Sequence, residues 1–136
     1  MRIAHVALAS AALLGISYAV AQTHSAFGQP CSPCQAVIVI PAGCGGGITV
    51  APDPIRAMGK APVSITWKIV SPGWEFGGEG IVVKLAGSKF KTASSSGDTF
   101  TLQFDSSGPN AVYKYDINLV SKTAGPCKVD PTIVNY

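Results

Sequence analysis

Histidine is nearly missing from this chain: of 136 residues only His5 and His24 carry imidazole, and charged side chains make up just 12%. That scarcity sets aside most hydrolytic chemistry. A Ser-His-Asp arrangement needs a positioned imidazole base, and the one downstream of the first twenty-one residues is His24, close to the amino-terminal end. Arginine is limited to Arg2 and Arg56, and lysines at 60, 68, 84, 89, 91, 114, 122 and 128 are scattered singly. Without a basic cluster the chain lacks the footprint of phosphate-backbone binding, so no nucleic-acid partner is expected. After residue 21 no apolar run approaches the ~20 residues of a membrane span, and none is expected.

What is present at the start is a leader pattern. Arg2 is followed by a mostly apolar, uncharged run from Ile3 to Ile16 and by Ala19-Val20-Ala21, with small residues at the two positions a signal peptidase inspects. Residues 1–21 are therefore expected to be a cleaved export signal, the mature chain to begin at Gln22, and the protein to be secreted or periplasmic. Losing Arg2 changes the formal charge from +3 to +2, a mild balance. The remaining length suits one domain with a real core. Residues 22–35 read as an irregular lead-in and 36–136 as the domain.

Period-two alternation recurs through the mature part, with almost no helical period, so the fold class is all-β. Val63, Ile65, Trp67 and Ile69 alternate with Ser64, Thr66 and Lys68; Phe100, Leu102 and Phe104 with Thr99, Thr101 and Gln103; Tyr113, Tyr115, Ile117 and Leu119 with Lys114, Asp116 and Asn118. Each is the signature of a strand with one wet face. Shorter strands are expected at Ala36 to Ile40, Ile48 to Ala51, Ile81 to Leu85, Lys89 to Thr92 and Thr132 to Asn135. Glycine, proline and serine clusters punctuate them, including Pro52-Asp53-Pro54, Gly77-Gly78 and Ser94-Ser95-Ser96-Gly97-Asp98. Seven to eight short strands, each with a single apolar face, imply a two-sheet Greek-key sandwich.

Cys31, Cys34, Cys44 and Cys127 all lie in the exported part, where thiols pair. Four cysteines allow three pairings. Cys44 with Cys127 is preferred because each precedes a strand-like run, leaving Cys31 with Cys34. The Cys31-Ser32-Pro33-Cys34 spacing also occurs in thiol-disulfide exchange motifs, but those sit at a helix start in a βαβ frame that is not visible here, so a structural bridge is preferred. A zinc site lacks its second closely spaced pair.

Ile65-Thr66-Trp67, together with Gly108-Pro109-Asn110-Ala111-Val112-Tyr113-Lys114-Tyr115, resembles the core strands of cupredoxin-like and immunoglobulin-like sandwiches. The wider pattern, through Asp130-Pro131-Thr132-Ile133-Val134-Asn135, is similar to small exported bacterial proteins of no assigned role. The resemblance implies a fold and no activity. In the cupredoxin comparison, Ile117 stands where the copper-binding Cys is expected and no His follows it, so the two imidazoles and one thiolate of a blue-copper centre are not supplied. His24 offers a different route. As third residue of the mature chain it completes, with the free amine and two amides, a square-planar nitrogen set for Cu(II) or Ni(II). Cyclisation of Gln22 would consume that amine, and a solvated histidine is the preferred reading.

Glu75, Glu79 and Asp105 are the acids that could supply a glycosidase pair, though nothing in their spacing marks them as paired. The segment singled out for binding is Gly73-Trp74-Glu75-Phe76-Gly77-Gly78, two aromatics in a glycine-rich connection. Either Trp74 and Phe76 fold back over the end of the core, or they stand open as anchors for a protein or glycan ligand. The expectation is an exported, non-catalytic binding or structural module without a cofactor. The alternative is a copper-handling or thiol-redox protein using His24 or Cys31 and Cys34.

Overall fold

The computed structural model describes residues 29–135. The expected leader and His24 lie outside the described residues. Ten strands form two mixed five-stranded sheets, and the described residues hold almost no helix. In chain order the strands are β1 (Cys34–Val39), β2 (Thr49–Ala51), β3 (Ile55–Ala57), β4 (Val63–Ile69), β5 (Trp74–Val83), β6 (Phe90–Ser96), β7 (Thr99–Phe104), β8 (Ala111–Ser121), β9 (Gly125–Val129) and β10 (Thr132–Asn135). A 3-10 turn, Cys44–Gly46, is the one helical element among the described residues.

One sheet runs β2-β1-β4-β7-β6; the other runs β3-β10-β8-β5, with β9 also on β8. The pairs β1 with β4 and β3 with β10 are parallel, and the remaining pairs are antiparallel. The three clean alternations become β4, β7 and β8. Val63, Ile65, Trp67 and Ile69 on β4, Phe100, Leu102 and Phe104 on β7, and Tyr115, Ile117 and Leu119 on β8 all enter a single core, as the removal of their apolar faces from water requires. Between the sheets the Trp67 indole Nε1 donates to the Tyr115 hydroxyl at 3.0 Å, with ring centroids 5.3 Å apart. At one margin the β6–β7 turn bridges the sheets through backbone. The Phe76 N–H donates to the Gly97 carbonyl, and the Ile69 N–H to that of Asp98, each at 2.8 Å.

Four features differ from the sequence expectation. The connection expected at Gly73 to Gly78 is the first half of β5, continuous with the strand expected at Ile81. Ser94 to Ser96, read as a turn, belong to β6, whose residues beyond Phe90 are exposed and so carry no apolar alternation. Two further strands, β3 and β9, had no pattern to reveal them: β3 is three residues long after Pro-Asp-Pro, and β9 opens on Gly-Pro. Ordered pairing also begins earlier than Ala36, since β1 starts at Cys34 and Cys31 makes an isolated parallel bridge to Ala57.

Disulfides join Cys31 to Cys34, with Cα atoms 5.0 Å apart, and Cys44 to Cys127, with Cα atoms 5.7 Å apart. The first spans the corner where the chain passes from the edge of β3 in one sheet to β1 in the other. The second ties the β1–β2 connection to β9.

Candidate functional site

The glycine-rich segment acquires its shape from an irregularity in β5. Phe76 pairs with Leu119 and Ile81 with Ile117, so five positions of β5 advance while β8 advances two, and Gly77 to Gly80 bulge from the ladder. Bulges of this kind bend the strand and release backbone groups from pairing. Gly80 makes this one possible. Its φ is +57°, and a Cβ there would come within van der Waals overlap of the Phe100 ring. The Asn118 side-chain amide donates to the Gly80 carbonyl at 3.3 Å and pins the bulge from the facing strand.

On the outer face the bulge opens a groove of about 580 Å³ bordered by Gly78, Glu79, Asn118, Val120, Pro126 and Lys128. The groove therefore combines glycine backbone, one carboxylate, one amide and one ammonium over an apolar strip. Such a surface can hydrogen-bond and cover a ligand. Lys128 is held beside it by Asp116, Nζ to Oδ2 at 2.6 Å, and Lys84 approaches the other carboxylate oxygen at 3.0 Å. Asp116 is buried on β8, and the hydrogen bond from Lys128, with that from Lys84, holds its carboxyl below the ordinary aspartate value. The pairing positions Lys128 rather than preparing a proton donor.

The aromatics that flank the glycines point the other way. Trp74 is 8% exposed and belongs to the core, and Phe76 is half-buried with its ring 5.5 Å from that of Phe100. Trp74 thus covers the end of the core, the first of the two arrangements open from sequence. The acids at 75, 79 and 105 are not brought together. Glu75 lies opposite Val120 near one end of the sheets, whereas Asp105 follows Phe104 at the other end and is bound to its own turn. The Ser107 hydroxyl and N–H, with Lys89, hold the Asp105 carboxyl below its usual range.

Ile117 is fully buried between Tyr115 and Leu119 in the inward row of β8. Cys31 is half-buried and Cys34 fully buried, while Cys44 is exposed and Cys127 buried. No group of three His, Cys, Asp or Glu side chains suited to a metal ion occurs among the described residues. Among the described residues, too, no helix is long and apolar enough to cross a membrane. Sequence reasoning missed the groove itself, because Asn118, Pro126 and Lys128 come from strands far along the chain. The cluster of glycines was its one local signal. The chain matches no protein-family model and no curated protein sequence.

Proposed function

We propose that the protein is an exported, non-catalytic binding or structural module of the cell envelope or extracellular space. In this reading it is a Greek-key sandwich of cupredoxin-like or immunoglobulin-like kind, and its ligand is a protein or a glycan. The observation that carries the reading is the state of the sulfur atoms: all four cysteines are paired in two disulfides, the arrangement that persists in oxidising compartments. The bulge groove, with glycine backbone that stands outside the β5–β8 ladder and a mixed polar lining, supports a binding role.

Fractionation of producing cells followed by mass spectrometry tests the proposal. The expected result is a chain beginning at Gln22, outside the cytoplasm, with both bridges intact. A full-length cytosolic chain with free thiols would overturn it. Treatment of the same material with mild reductant separates the alternative. Ready opening of Cys31–Cys34, with reversible turnover against a dithiol, would favour thiol exchange over a structural role.

A further inference from the structure

The end of the molecule around the β5–β6 turn combines features absent from the groove. Three connections meet there: 58–62 after β3, 84–89 after β5 and 105–110 after β7. Their proximity is fixed by hydrogen bonds. Ser106 Oγ donates to the Gly59 carbonyl at 2.9 Å, Asn135 Nδ2 to the carbonyls of Ser106 and Pro109, and the Asp105 N–H to the Lys89 carbonyl at 2.8 Å.

Three large apolar side chains stand exposed at this end: Met58 at 49%, Val112 at 66% and Leu85 at 100%. Leu85 is also the one non-glycine residue with positive φ among the described residues, at 54°. A branched apolar residue is disfavoured twice over at such a position, by solvent and by backbone conformation, and strained backbone of this kind clusters at ligand contacts. Lysines lie on the same and adjoining segments. Lys84 and Lys89 flank the turn, the Lys84 N–H donates to the Lys114 carbonyl across the strand pair, and Lys60 lies on the adjacent connection. Lys84 pairs with Asp116 and Asp130, and Lys89 with Asp105, whereas Lys60 and Lys114 have no ion pair among the described residues.

An exposed apolar tip on an end that also carries Lys60 and Lys114, two ammonium groups without an ion pair among the described residues, suits the boundary between anionic headgroups and acyl chains. A protein pocket is the poorer match, since anchors in protein interfaces are enriched in Trp, Tyr and Arg while Leu is under-represented. We propose that the end carrying Met58, Leu85 and Val112 contacts an anionic phospholipid bilayer peripherally, through apolar insertion of Leu85 and attraction by Lys60 and Lys114. The proposal rests on export to the envelope and names the surface met there.

Sedimentation with phosphatidylcholine vesicles, with and without phosphatidylglycerol, tests it on chain purified from Gln22 onward, which contains every described strand. Binding is expected only with the anionic lipid and should fall steeply as salt is raised. Leu85→Asn should weaken it roughly tenfold, the effect of withholding one leucine side chain from the acyl region. The melting temperature should not drop, because Asn tolerates positive φ. Lys114→Glu should weaken binding roughly fivefold to thirtyfold. Val70→Asn, at the opposite end and 54% exposed, should leave it unchanged. No anionic-vesicle binding, equal binding to neutral vesicles, or equal effects of the Leu85 and Val70 variants would each overturn the proposal. The fractionation above reads export independently, so failure of that reading and failure of the bilayer contact are distinguishable.

Discussion

Trp67 and Tyr115 meet between the sheets, and their hydrogen bond satisfies two polar atoms that burial would otherwise leave unpaired. Tyr115→Phe strands the indole N–H and should destabilise by about 1–3 kcal/mol in a denaturant titration. Burial first of all pushes the Tyr115 phenol above its ordinary value, and the hydrogen bond from Trp67 opposes this. The folded protein therefore retains the phenolic proton after the unfolded chain has released it. This part of the stability is complete below the ordinary tyrosine pKa and is lost as pH rises beyond it. Absorbance titration should show Tyr115 ionising only together with loss of the fold. Trp74→Ala should destabilise by about 3–5 kcal/mol, as aromatic truncation in a core does; an unchanged melting temperature would contradict its burial. Both tryptophans were visible in the sequence as large apolar side chains. Phase with Ile65 and Ile69 placed Trp67 inside, whereas Trp74 stands at the first residue of a strand and had no alternation to place it.

Among elements, β4, β7 and β8 were legible because each has one face in the core and one in water. The β5 strand was not, because the extra residues in its bulge shift the alternation and put glycine where side chains would report a face. Its edge partner across the core, β6, carries hydroxyls and lysine on both faces, so it read as punctuation after Thr92. The bulge is where sequence and structure inform one another most. Gly80→Ala should cost about 2–4 kcal/mol, combining a left-handed backbone with overlap onto Phe100. Gly78→Ala, whose Cβ meets nothing within 4 Å, should be nearly neutral. Comparison of their unfolding midpoints checks the assignment, and equal losses would mean that strain at Gly80 is absent.

For the molecule as a whole, the two bridges constrain very different lengths of chain. Cys44 and Cys127 are separated by 83 positions, Cys31 and Cys34 by three. On the chain-entropy account, replacing the first pair with serine should cost about 4–5 kcal/mol and the second about 2 kcal/mol, a ranking that equilibrium unfolding of the two double variants would reverse if native strain dominated. The preference for this pairing came from cysteines placed just ahead of strand-like runs, a positional clue; the corner crossing made by Cys31–Cys34 was invisible because β3 was. Another arrangement has a practical outcome. Cys31 bridges to Ala57, and Ala57 pairs in turn with Asn135, so the entering and leaving backbones flank the same short strand. The backbone at Cys31 and the backbone at Asn135 therefore lie side by side at the end that carries Leu85, while the Asp98 hairpin lies at the opposite end, so an affinity handle for immobilisation belongs in that distant hairpin.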